Sequence, residues 1–305
     1  MSNLMLYAIA TLIWGSTWLA ITFQLGTVPV TASVAYRFLI AAVIVLAWAA
    51  WRGDRLRLRV QEWQWAAAQG ALMFGISYML VYAAEAHIAS GLVAVLNSTM
   101  VVMNLIGMRL AFGRPIERKS LLGAALGLAG IVLVFWPELQ DVQGRSNWTG
   151  IACGLLAAVV ASAGNIVAQH NRNLDIPLLP GIGIGMLTGG LASLAYTLLS
   201  GESLRFDWRP AYLLSLAYLA IFGSVLAFAS YLTLMGRIGA ARAGYIAIAV
   251  PIVALVLSTL FEGFNWQWLT VFGILCAAAG NVIMLNDVSS WLRRLGMNRL
   301  AAHLS

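Results

Sequence analysis

The sequence predicts an all-α integral membrane protein, with ten transmembrane helices as a 5+5 inverted repeat. Three observations predict it. Apolar stretches of spanning length recur ten times, basic residues crowd into alternate connections, and the chain partly matches itself at a shift of 150 residues. Of the 305 residues, 61% are hydrophobic and 10% charged, whereas soluble domains sit near about 45–50% and about 25%. So little polar surface suits an environment where the outside of the fold is also apolar. The lipid bilayer is therefore an expected partner.

A helix needs roughly 20 mostly apolar residues to cross that environment. Spans 1–10 are expected at 4–23, 30–51, 63–84, 88–110, 119–136, 149–169, 177–199, 210–235, 239–261 and 267–286. The slightest breaks are His87–Ile88, before span 4, and Arg237–Ile238–Gly239, before span 9. The first stretch lacks a basic leader and a clear small-residue cleavage site, so it is expected to be a retained span. Fourteen Lys and Arg residues fall on the side that holds the N-terminus, among them Arg55, Arg57 and Arg59 before span 3 and Arg114, Arg118 and Lys119 before span 5. Only Arg145, Arg205 and Arg209 fall on the other side. This asymmetry predicts cytoplasmic termini and a cell inner (plasma) membrane. Scattered in short loops, these residues form no stripe for nucleic acid, despite a net charge of +7. Cys153 and Cys276 lie in apolar stretches with no paired framework, and read as small hydrophobes.

At a shift of 150 residues, Leu110-Ala111-Phe112-Gly113 overlies Leu260-Phe261-Glu262-Gly263, Gly123 overlies Gly273, and Ala129-Gly130 overlies Ala279-Gly280. The units expected are 1–140 (spans 1–5) and 141–290 (spans 6–10), followed by a cytoplasmic tail at 291–305. An odd number of spans per unit inserts the second unit upside down. Inverted repeats of this kind recur in secondary transporters, with the substrate near the midplane between the halves.

Trp14-Gly15-Ser16-Thr17 in span 1 and Arg37-Phe38 in span 2 resemble, in order and spacing, landmarks of the EamA-type members of the drug/metabolite transporter superfamily. Pro251, Glu262, Gly273 and Ala279-Gly280 resemble that family's pattern in spans 9 and 10. The resemblance covers nearly the whole chain. The first half departs from it, with Val101 opposite Pro251 and Phe112 opposite Glu262. Characterised relatives include the YddG-type amino-acid exporters and carriers of sugars and other metabolites. The resemblance thus implies transport of a small molecule and leaves the substrate open.

A polar side chain in mid-span must find a partner or water. Tyr78, Tyr82 and Glu85 share one face of span 3, and Ser162, Asn165 and Gln169 one face of span 6. Trp14 and Trp18 lie too deep in span 1 to be interface anchors, and spans 4, 8 and 9 add Asn97, Tyr231 and Tyr245. Each could simply hold helices together. Taken as a substrate site, they offer hydroxyls, amides and aromatic faces with few charges. That set suits a zwitterionic or neutral ligand with an apolar or aromatic part. Amino acids, exported by alternating access, are the expected substrate; sugars and drugs are the alternatives within the same fold. Arg37 and Glu85 are expected to form a structural ion pair. Pro251 and the glycines of span 7, Gly185 among them, are expected flex points. The sequence has no carboxylate at the middle of a span, no phosphate-binding loop, no metal-ligand spacing and no Ser–His–Asp arrangement. No cofactor, metal or catalytic residue is therefore expected, and a membrane-embedded enzyme or a channel is the weaker reading. Monomer and homodimer both stay open.

Overall fold

The computed structural model describes residues 1–88, 90–134, 136, 145–261 and 267–285. Among them every regular element is helical. In chain order these are α1 (Asn3–Thr22), α2 (Val30–Trp51), α3 (Val60–Glu85), α4 (Ser90–Ser98), α5 (Met100–Phe112), α6 (Arg118–Val134), α7 (Arg145–Asn173), α8 (Leu178–Leu199), α9 (Pro210–Ile238), α10 (Ala240–Ala243), α11 (Ile246–Phe261) and α12 (Trp268–Leu285). Glu262, Gly263 and the expected tail at 291–305 lie outside the described residues.

Among the described residues, six helices are long and apolar enough to cross a membrane: α1, α2, α3, α7, α8 and α9. The stretches Leu96–Phe112, Ala240–Ala254 and Trp268–Ile283 are apolar but shorter. Two expected spans are interrupted. Span 4 breaks at Thr99, between α4 and α5, and span 9 breaks at Gly244–Tyr245, between α10 and α11. Hydropathy cannot register such breaks, because the residues on both sides stay apolar. Span 6, in contrast, outgrows its apolar window: polar residues at both ends, such as Arg145 and Asn173, continue the helix.

Local chemistry fixes the ends. The Ser2 hydroxyl accepts from Met5 N (3.2 Å) and caps α1. Glu62 accepts from Arg59 N (2.8 Å) at the start of α3 while paired with Arg55 and Arg59 (2.9 Å each). Pro210 opens α9 at a position where its missing N–H costs nothing. Gly113 (φ 65°) closes α5 and Gly239 (φ 85°) closes α9, conformations that side chains resist.

Two helix pairs pack backbone to backbone. On α6, a Cβ at Gly130 would meet Gly273 O and Ala277 N of α12 at 2.5 Å; at Gly280 of α12 it would meet Gly123 O of α6 at 2.5 Å. Close approach of this kind replaces the hydrophobic drive that lipid cannot provide. Helix α8 packs backbone to backbone on α3 as well, and against leucine side chains on α2. Gly190 meets Leu39 and Gly183 meets Leu46 of α2, while Gly185 and Gly189 meet Gly70 and Phe74 of α3. Helices α1, α3, α4, α7, α9 and α11 surround the centre. Both α3 and α9 widen into a π-helical turn there, at Ala71–Ile76 and Leu219–Leu226. Such turns shift the register of the residues that follow. Cys153 and Cys276 are free and half-buried.

Candidate functional site

The central helices enclose a cavity of about 110 Å³. Its wall brings together Trp14 and Trp18 of α1, Tyr78 of α3, Asn97 of α4, Asn165 of α7, Phe228 and Tyr231 of α9, and Pro251 of α11. Among the described residues, no charged side chain lines it. The rings form an edge-on cluster. Trp14 lies 4.9 Å from Phe228 and 5.1 Å from Tyr231, and Phe228 lies 4.7 Å from Phe74 and 6.2 Å from Tyr78. Trp14 Nε1 donates to Gly223 O (3.1 Å) in the wide turn of α9. Two lining residues each keep a buried polar atom without a protein partner: Trp18 Nε1, a donor, and Asn97 Oδ1, an acceptor. Each such atom costs about 1–3 kcal/mol until something satisfies it.

Amides gather at the end of the cavity nearer the N-terminal face. Tyr231 OH donates to Asn165 Oδ1 (3.0 Å), and Asn165 Nδ2 donates to Asn104 Oδ1 (3.3 Å). One turn further along α7, Gln169 Oε1 accepts from Ala240 N (3.2 Å). Gln169 is thus brought to this layer and not to the cavity wall. Ser162 faces the neighbourhood of Gly107 on α5. Tyr245 points away, its hydroxyl donating to Ser120 O of α6, while its carbonyl accepts from Tyr7 OH (3.2 Å). Gly185 sits in the tight α8–α3 contact.

Pro251 has a consequence beyond its own helix. It has no N–H, so the carbonyl four residues earlier, Ala247 O, loses its helical donor. The Ser98 hydroxyl of α4 lies 2.8 Å from that oxygen and donates to it, shared with Ala94 O (2.9 Å). The two interrupted stretches are joined beside their breaks.

The expected Arg37–Glu85 ion pair is not made. Arg37 is fully buried, and its Nε donates to Ser224 Oγ (2.9 Å) in the wide turn of α9. Nη1 donates to Tyr82 OH (3.4 Å), and the guanidinium lies 4.7 Å from the Tyr78 ring and 5.2 Å from the Phe38 ring. Tyr82 therefore stands behind the cavity, on the cation. The hydroxyls and ring faces on α2, α3 and α9 hold the guanidinium before a carboxylate can. Ser98 and Ser224 were missed in the sequence, since a lone mid-span serine carries no signal until its acceptor or donor is known.

Outside the membrane helices, Arg209 pairs with Asp207 (2.5 Å) and donates to Thr27 Oγ1 (3.1 Å), tying two loops. The Arg209 guanidinium, and then its backbone N–H, hold the Asp207 carboxyl below the ordinary aspartate value.

The EamA-like transporter family profile matches residues 1–136 and 148–286. The chain is 28% identical over 283 residues to the uncharacterized inner membrane transporter YedA of Escherichia coli strain K12, covering 89% of each chain. It is 24% identical to protein PagO of Salmonella typhimurium, covering 85% of this chain and 84% of that one. Protein PecM of Dickeya dadantii is 24% identical, with coverage of 92% and 91%. A solved crystal structure superposes with a TM-score of 0.77 over 96% of this chain and 98% of the other, at 18% identity, a likeness of fold.

Proposed function

The chain belongs to the EamA-like transporter family, and from that premise we propose that it exports amino acids, aromatic ones included, across a cell's inner membrane by alternating access of the central cavity. The observation that carries this is the pair of unpartnered atoms at the cavity wall, Trp18 Nε1 and Asn97 Oδ1. The first offers a donor to a carboxylate and the second an acceptor to an ammonium group. Dehydrating a zwitterion is costly unless the site replaces its water. The aromatic faces of Trp14, Tyr78 and Phe228 suit an apolar side chain. A cationic drug would favour a lining carboxylate, and among the described residues the lining has none.

Alternating access requires two halves that exchange roles, and ten spans as an inverted pair, units 1–140 and 141–290, would supply them. Packing supports this. Helix α2 lies on α8, and α6 on α12, the partners a shift of five spans demands. The contacts Gly123–Gly280 and Gly130–Gly273 interchange under the shift of 150 residues. The wide turns of α3 and α9 each contain Phe-Gly, at Phe74-Gly75 and Phe222-Gly223. Cytoplasmic termini follow from the arginine asymmetry.

Expression in a bacterium poisoned by its own excess amino acid tests the substrate. Growth should return, and Asn165→Ala or Tyr78→Ala should weaken the rescue at equal protein level. Rescue by neither wild type nor variant, with any amino acid, would move the assignment to sugars, which aromatic rings and amides also suit.

A further inference from the structure

We propose that Glu85 is a proton-binding site that couples transport to a proton gradient, exchanging between a protonated state apart from Arg37 and a deprotonated state paired with it. This rests on the transport reading above and assigns its energy source. Both carboxyl oxygens of Glu85 are buried without any hydrogen-bond partner. An ionised carboxylate is not kept in such a place without water or donors, whereas the neutral acid is. Arg37, charged under all conditions, has Nη2 buried without a partner as well. A cation with a donor to spare and an acid with both oxygens to spare thus face the same buried layer with no ion pair between them. Protonation of Glu85 removes the charge that would draw the guanidinium into an ion pair.

The step that follows is a proton transfer. The Glu85 O–H bond breaks, the proton passes to water on the face to which the protein has opened, and the carboxylate left behind accepts from Nη2 of Arg37. Drawn toward the carboxylate, the guanidinium leaves Ser224. That serine lies in the wide turn of α9, where its hydroxyl also reaches Leu219 O (2.9 Å), and Phe228 and Tyr231 follow it into the cavity wall. Tyr78 lines the cavity and lies against the guanidinium. Proton and substrate would therefore bias the same turn from its two sides.

Few other groups can intervene. Facing the pair are Tyr78 and Tyr82 of α3, and beyond them Tyr212 of α9, whose hydroxyl is within 3.0 Å of Ser33 Oγ. Helix α4 carries no titratable residue, and between Trp148 and Gln169 α7 carries only the Cys153 thiol. The side chain of Arg145, at the start of α7, lies outside the described residues. His87 is exposed, with Nδ1 2.8 Å from Ala83 O.

Two readouts test the proposal on the full chain. In lipid nanodiscs, infrared difference spectra between acid and alkaline pH should contain a carbonyl band of a carboxylic acid free of hydrogen bonds. Glu85→Gln should remove it. In liposomes, a pH gradient should drive accumulation of a labelled amino acid by the wild type, while Glu85→Gln should still exchange it but no longer accumulate it. An unchanged band, or undiminished gradient-driven accumulation by Glu85→Gln, overturns the proposal. Absence of exchange by the wild type would instead count against the amino-acid reading, with the infrared band still reporting the proton site. If Glu85→Gln fails to fold, Glu85→Asp keeps the acid and should move the band; an unmoved band overturns the assignment.

Discussion

Two seams between helices of this protein are built on opposite principles. Between α6 and α12, glycine meets glycine backbone to backbone, with the Val134 side chain packed beside Gly273. Between α3 and α9, rings, hydroxyls and a buried guanidinium intervene, both helices widen into π turns, and polar atoms are left without partners. A seam with no slack resists motion. A seam with unmet hydrogen bonds and irregular turns tolerates more than one arrangement. On the proposed transport reading, the difference separates scaffold from working part.

The comparison breaks most readily at the first seam. Gly130→Val combined with Gly273→Val should have the largest effect, since each Cβ meets backbone that cannot turn aside. Overpacking costs about 1–3 kcal/mol per site. Monodisperse protein on size-exclusion chromatography after heating should be largely lost, and an undiminished yield would show that this seam can part. At the second seam, Asn165→Ala strips Tyr231 OH and Asn104 of their shared partner, at about 1–3 kcal/mol. The protein should stay folded while the half-saturation of transport rises roughly tenfold, the equivalent of about 1.4 kcal/mol. Collapse of the fold without a transport phenotype in the survivors would make Asn165 scaffold after all.

Smaller effects sharpen the contrast. Ser98→Ala leaves Ala247 O unsatisfied and should lower stability by about 1 kcal/mol. In a Pro251→Ala background the helix can satisfy that carbonyl itself, so the serine should then cost nothing. A double-mutant cycle read by thermal unfolding measures this coupling, and strict additivity would refute the link. The smallest effect concerns the Asp207–Arg209 tie. The Asp207 carboxyl is held below its ordinary value of 3.8. Its contribution is therefore complete above that value and lost as the pH falls through and below it. Asp207→Asn should lower the melting temperature slightly at neutral pH and not at all in strong acid, where the wild type has lost the tie too.

Much of this was legible in the sequence, for physical reasons. Length and apolarity suffice for α1, α2, α3, α7, α8 and α9, because lipid imposes both on any spanning helix. The depth of Trp14 and Trp18 and the mid-span amides Asn97 and Asn165 pointed to residues that the fold does gather at one cavity. The rest was hidden by geometry. Tyr78 and Tyr82 share a face of the helix, yet one lines the cavity and the other stands behind it on Arg37. Gln169 and Tyr245 are polar because they satisfy Ala240 N and Ser120 O, which no periodicity reports. The ion pair expected between Arg37 and Glu85 assumed that charges seek charges, whereas hydroxyls and rings took the guanidinium first.

The central claim is that the unpartnered atoms of the cavity wall bind the transported molecule. Counterflow of labelled amino acids into liposomes, comparing wild type with Trp18→Phe, tests it most directly. Phenylalanine keeps the ring but removes the N–H. The account predicts exchange by the wild type, and weakened exchange by a variant that remains folded. Equal rates and equal half-saturation for the two proteins would contradict it.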